Sequence, residues 1–203
     1  MIEKTESMIK GAYIRETREM AEKAAINNPE SEFVGLDDYL LFLYPDKTWI
    51  HDKAFGIHED NENHKIRPDY RSDSLKLIVE FDGLPHYTDP AVIFKDDKNT
   101  NIYKKNGYKV VRIPYFIQLT NEAVAKLFGI KVNEPLFKVS YPSLGGVEMK
   151  HNPSCLCPEG LKRMAREFKR FPEQYEINIQ SLKKMDNEIL SGVKYLIEEY
   201  NKI

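Results

Sequence analysis

Apolar residues recur along this chain at two different periods, and the switch between them sets out its plan. Met8, Ala12, Ile14, Met20, Ala21 and Ala24 leave a partly apolar face among Glu, Lys and Arg, which predicts a helix over residues 5–27. Asn27-Asn28-Pro29 ends it, because the residue before a proline disfavours helical geometry. Ser31 then suits the N-cap of a second helix over 31–43, where Phe33, Leu36, Tyr39, Leu40 and Leu43 keep helical spacing. After Tyr44-Pro45-Asp46 the period shortens. Residues 48–55 and 65–71 read as strands around a polar, acidic loop at 56–64. Residues 75–82 read as a stronger strand, with Leu75, Leu77, Val79 and Phe81 alternating against Lys76, Ile78 and Glu80. Arg71-Ser72-Asp73-Ser74 supplies the turn between the last two.

A helix follows over 90–106 with Gly107 at its C-terminal end, then a strand over 108–113 closed by Pro114, then a short helix over 121–128. Residues 131–157 are irregular and rich in Pro and Gly. Two helices are predicted beyond them, at 158–170 and 177–201. In the second, Leu182, Met185, Ile189, Val193, Leu196, Ile197 and Tyr200 form one apolar stripe. The order of elements describes an α/β fold: a mixed central sheet flanked by helices, carrying a C-terminal helical extension. The expected division is a core over 1–130 and an extension over 131–203.

Composition narrows this picture. With 203 residues, of which 41% are hydrophobic and 31% charged, the chain can bury a core and stay soluble. No apolar run approaches a membrane span, and Met1-Ile2-Glu3-Lys4-Thr5-Glu6 lacks the apolar stretch of a signal peptide, so a cytoplasmic location is expected. Cys155 and Cys157 stand one residue apart, too close for an unstrained disulfide, and read as thiols. With His151 they offer three zinc ligands where a closed structural site wants four, so a loop with two thiols is the simpler reading. His51, His58 and His64 read as surface residues, and Trp49 as packing. The net charge of -2 argues against a broadly basic nucleic-acid binder but leaves room for acids and bases sorted onto different faces.

The chemistry concentrates between Arg67 and His86. Asp69, Glu80 and Asp82 lie on two neighbouring strands of a hairpin, and Glu80 and Asp82, two apart, leave the same face. Clustered carboxylates repel one another and favour a compensating cation, and hard oxygen ligands suit Mg²⁺ or Mn²⁺. A cation so held can acidify water and neutralise charge on a phosphate. The alternative is that these acids only solvate one face of the hairpin.

Pro68-Asp69, followed by Glu80-x-Asp82, resembles the PD-(D/E)xK nuclease motif. The wider run of Arg67-Pro68-Asp69, Val79-Glu80-Phe81-Asp82-Gly83, His86 and Asn106-Gly107-Tyr108-Lys109-Val110-Val111-Arg112 is similar to the branch of that superfamily containing very-short-patch-repair endonucleases. The resemblance spans about residues 31–117. It implies a restriction-endonuclease-like fold, cleavage of DNA phosphodiester bonds with Mg²⁺, and Asp69 and Glu80 as metal ligands. Asp82 occupies the position of the family's lysine, where it could bind metal or hold a water. His86 could then exchange a proton with the reacting groups. A lysine from the next helix, Lys95 or Lys98, is a second source of the missing cation. Glu32 matches an acid that many of these enzymes carry on a preceding helix, and it equally suits the first turn of a helix as a favourable partner of the dipole.

Two clusters could contact phosphates: the bases after the motif, including Lys98, and the set Lys162, Arg163, Arg166, Lys169 and Arg170. Arg67 and Arg71 flank the acids and could clamp the scissile phosphate. Exposed lysines on ordinary helix faces are the plain alternative. A palindromic target would call for a homodimer, for which the last helix offers a contact. Ahead of a more distant zinc-binding module built on His151, Cys155 and Cys157, two rivals stand beside the restriction- or repair-type endonuclease. One is a catalytically inactive nucleic-acid-binding protein with a decayed site, suggested by Asp82. The other is an interaction module whose acidic hairpin is only a surface.

Overall fold

The computed structural model describes residues 13–29, 31–56, 66–133, 141–145 and 149–203. Part of the 5–27 helix and most of the 56–64 loop, with His58 and His64, lie outside them.

The chain opens with a strand, β1 (Tyr13–Arg15), where helix is expected. Tyr13 and Ile14 are aromatic and β-branched, and they find a parallel partner in β2 (Phe33–Gly35). Helix α1 spans Arg18–Asn27, capped by Thr17, whose hydroxyl accepts from the Met20 amide. The second helix is likewise shortened at its start. Residues 33–35 pair as strand, and α2 runs Leu36–Leu43. Gly35 between them is a close-approach residue, because a Cβ there would stand 2.5 Å from the Arg18 backbone nitrogen.

A four-stranded mixed sheet is built from β3 (Ile50–His51), β4 (Tyr70–Ser72), β5 (Leu77–Asp82) and β6 (Lys109–Pro114), in that order. The first two strands are shorter than the 48–55 and 65–71 expectations. β4 and β5 form the anticipated antiparallel hairpin, with Tyr70 opposite Val79. β5 and β6 are parallel, with Glu80 opposite Arg112. Between them come a short turn of helix, α3 (Pro85–Thr88), and α4 (Pro90–Lys105), which Asp89 caps through the Ala91 amide. Gly107 follows in the left-handed conformation that ends such helices.

Side-chain alternation splits the sheet. Leu77, Val79, Val111 and Ile113 enter the main core, while Ile78 packs with Phe55, Ile66, Tyr103 and Tyr108 in a smaller one. α5 (Asn121–Phe128) buries Ala123, Val124, Leu127 and Phe128 in the main core. α6 spans Pro158–Arg170 as expected. The single predicted helix over 177–201 is instead three: α7 (Pro172–Lys183), α8 (Glu188–Ser191) and α9 (Val193–Asn201). The break follows local chemistry. Asn187 caps α8 through the Ile189 and Leu190 amides, and Gly192 takes a left-handed φ. Leu182, Val193 and Leu196 are buried in the same core as the sheet. Among the described residues, no helix is long and apolar enough to cross a membrane.

Candidate active site

Two adjoining groups of charged side chains sit at the end of β5. In the first, Asp69 and Glu80 hold each other through the backbone. The Asp69 amide donates to Glu80 Oε2 at 3.2 Å, and the Phe81 amide donates to Asp69 Oδ2 at 2.6 Å. Burial, then the neighbouring Glu80, pushes the Asp69 carboxyl up to about 8, against the pull of the Phe81 amide; Glu16 and Asp82 add to the rise. Glu80 is raised as well, by burial, against the pull of Arg112 and the Asp69 amide. The Tyr103 hydroxyl is fully buried beside Glu80, and its hydrogen bond also pulls the Glu80 carboxyl down. Hard carboxylate oxygens so gathered are of the type that divalent cations prefer.

The acid that reaches this pair from the N-terminal segment is Glu16, just before the Thr17 cap of α1. Its carbonyl accepts from the Tyr70 hydroxyl at 2.8 Å, and its charge bears on Asp69. Glu32, the sequence candidate, is exposed beside the two-stranded sheet, its carbonyl accepting from the Tyr13 amide. The reason is the displaced start of the helix: residue 32 precedes a strand rather than opening a helix. The sequence signal for Glu16 was Thr17, an N-cap residue hidden inside the expected helix.

The second group is a charge cage. Asp82, 1% exposed, accepts from Arg112 Nη2 at 2.6 Å and from Arg163 Nη2 at 2.6 Å. Asp96 on α4 meets Arg112 Nη2 at 2.9 Å, Arg163 Nη1 at 2.7 Å and His86 Nδ1 at 2.7 Å. Burial alone would raise the Asp96 carboxyl; His86, Arg112 and Arg163 hold it below the usual range. Asp82 therefore serves as an anchor for two arginines, in place of the free ligand or water holder expected at this position. Ligand atoms of Asp82, His86 and Asp96 lie within 4.8 Å of one another, a spacing a metal ion could bridge. Two guanidiniums already balance those two carboxylates, so an added divalent cation would meet repulsion there. Of the other pair, Asp69 is pushed toward its neutral form and Glu80 feels the pull of Arg112.

His86 is held in a definite orientation. Its Nδ1 lies 2.7 Å from Asp96, which as a carboxylate can only accept, so Nδ1 is the donor of this bond. Its ring is part-exposed. His86 lies beside Asp82, and the sequence gave no sign of Asp96, which sits ten residues on in a helix with an ordinary mixture of charges.

The expected phosphate contacts divide. Arg163 is 9% exposed and sits inside the cage, because its position on α6 faces the sheet. Arg71 is turned away: its Nη1 donates to the Phe55 carbonyl at 3.1 Å and its Nε lies 2.9 Å from Asp73. Arg67 is exposed and pairs with Asp52. Lys98, Lys162 and Arg166 are exposed, as is Arg170, which pairs with Glu167 at 2.6 Å. Lys169 stands over the Tyr200 ring at 3.9 Å. Cys157 caps α6 through its sulfur, which accepts from the Gly160 amide, and Cys155 is exposed. The two thiols thus have separate surroundings.

Comparison with family models, curated proteins and solved structures gave no match. The functional reading therefore stands on the geometry of the site.

Proposed function

We propose that the protein is a metal-dependent endonuclease that hydrolyses DNA phosphodiester bonds, with a restriction-endonuclease-like core and a site formed by Asp69, Glu80, His86 and Asp96. The observation that carries this is the division of labour at the end of β5: one buried acid pair whose carboxyls are raised, and beside it a histidine held by an acid that two arginines already pair with.

Asp69 and Glu80, with Glu16 close by, would hold Mg²⁺ or Mn²⁺. Such a cation supplies Lewis acidity and neutralises charge developing on the phosphate. The protein's own residues do the rest. His86 Nε2 accepts a proton from the attacking water, and Asp96 stabilises the imidazolium that forms. Arg112 keeps Asp82 and Asp96 in place. The exposed Lys162 and Arg166, with Lys98 and Arg67, offer contacts to the nucleic-acid backbone, which supplies most sequence-independent affinity. The preference for DNA rests on the resemblance of the Arg67 to His86 run to very-short-patch-repair-like nucleases.

The test is incubation of supercoiled and linear DNA with the protein and Mg²⁺, beside EDTA and the pair Asp69→Asn and Glu80→Gln. Metal-dependent products lost in both variants support the reading. DNA binding with no cleavage under Mg²⁺ or Mn²⁺ would favour the decayed-site alternative, which Asp82 in the family's lysine position motivates.

A further inference from the structure

We propose that Arg163 is a positioning residue for His86, and that through it the C-terminal helices complete the site. The proposal concerns how His86 is held. Its kinetic consequence rests on the nuclease reading, but its structural consequence does not.

Arg163 comes from α6, far along the chain from every other charged member of the cage, yet it touches most of them. Nη2 donates to Asp82 Oδ2 at 2.6 Å. Nη1 donates to Asp96 Oδ2 at 2.7 Å and to the His86 carbonyl at 3.3 Å. The guanidinium also lies over the Tyr87 ring at 5.1 Å. One planar fork thus joins β5, α3 and α4, a task that suits arginine's fixed donor geometry and that lysine's single ammonium can fill only in part.

The approach of α6 is itself specified. The Cys157 amide donates to the Tyr87 carbonyl at 3.1 Å, and a Cβ on Gly160 would fall 1.8 Å from that same oxygen. Glycine lets α6 lie directly on the turn that carries His86, and Arg163 follows one turn later. A helix placed only for core packing would not need its backbone against the carbonyl next to the histidine.

The charges give the fork its consequence. Among the described residues His86 faces Asp82 from β5 and Asp96 from α4, and these acids pair with Arg112 from β6 and Arg163 from α6. Two acids meet two arginines. Remove Arg163 and one arginine faces two buried carboxylates, leaving a net negative charge beside the imidazole. His86 then holds a proton more firmly, and Nε2 is occupied where a base is required. Asp96 also loses the donor that shares its Oδ2 with His86, so the ring orientation relaxes.

The experiment uses the full chain, free of metal, and follows the five histidines by long-range ¹H–¹⁵N correlation, with His86→Gln assigning the signal. In the unaltered protein His86 should be the tautomer protonated at Nδ1. Arg163→Met should raise its titration midpoint by about one pH unit and mix the tautomers. Arg163→Lys should keep the midpoint near that of the unaltered protein, because the charge stays, but not the pure tautomer. In cleavage assays Arg163→Met should lower kcat about tenfold or more, leave KM for DNA within about twofold, and move the acid limb of the pH profile upward. An unmoved His86 signal in both variants, or a rise in KM at constant kcat, overturns the proposal and returns Arg163 to the phosphate contacts. If Arg163→Met does not fold, the tautomer in Arg163→Lys decides. If the unaltered protein cleaves nothing, the nuclease reading fails while the imidazole measurement still judges this one.

Discussion

Asp69 and Glu80 share one hydrogen-bonded, buried corner of the hairpin, and burial together with the Glu80 carboxylate raises the cost of ionising Asp69. The effect on stability has a definite sign. Asp69 is raised in the folded protein to about 8, from an ordinary value of 3.8. Between those values the folded state binds more protons than the unfolded one. Stability is therefore full below about pH 4 as far as this group is concerned, and it is lost as the pH rises through 8. In EDTA the melting temperature should fall between pH 6 and pH 9, by about 5 °C or more. Asp69→Asn should flatten that fall, and millimolar Mg²⁺ should restore stability most at the alkaline end, where the ligands are deprotonated. A melting curve insensitive to both would mean that the pair is solvated and binds nothing. The residues most legible in the sequence are those whose spacing along a strand decides their direction: Glu80 and Asp82 share a face because they are two apart. Asp96 was illegible as a site member and Arg163 was read only as a phosphate contact, because helix surfaces are full of such charges and only the tertiary fold selects these two. The arginine partners of Asp82 were hidden for the same reason, since they lie 30 and 81 residues away.

Elements were readable where one signal acted alone. The helices at Asn121–Phe128 and Pro158–Arg170 match their expected spans, with a capping residue at one end and an αL glycine or an aromatic-proline step at the other. Errors arose where a pairing partner overrode helical periodicity. Tyr13–Arg15 and Phe33–Gly35 each carry apolar residues at spacings that a helix tolerates, but as strands they satisfy each other's backbone. The break of the last helix at Asn187 and Gly192 was likewise written in residues that an unbroken apolar stripe concealed. The contact between α6 and the turn at His86 yields a prediction of its own. Gly160→Ala forces α6 away from the Tyr87 carbonyl and should cost about 1–3 kcal/mol of unfolding free energy, read by chemical denaturation. It should also lower cleavage out of proportion to the folded fraction, because the helix that moves carries Arg163. A destabilised variant with normal turnover per folded molecule would separate the helix from the site.

The whole molecule has a slight excess of acid, with a net charge of -2, so the proposed binding of a polyanion requires charge placed on one face. Lys162 and Arg166, a helical turn apart and exposed on α6, lie on the helix that carries Arg163. Replacing both with Glu should weaken DNA binding without altering the His86 titration. It should also reduce the slope of log K against log salt by about 0.9 for each phosphate that is no longer neutralised. An unchanged salt slope would place the nucleic-acid face elsewhere. The main hydrophobic core runs from Ile14 to Leu196, so the helices after residue 157 share the packing of the sheet that bears the acids. The claim on which all of this depends is that Asp69 and Glu80, rather than Asp82, His86 and Asp96, hold a divalent ion. The direct measurement is Mn²⁺ binding by electron paramagnetic resonance to the metal-free protein, to Asp69→Asn and to His86→Ala. Binding of the ion should be lost in Asp69→Asn and retained in His86→Ala. An ion retained in Asp69→Asn, or lost only in His86→Ala, would contradict the account and move the metal to the charge cage.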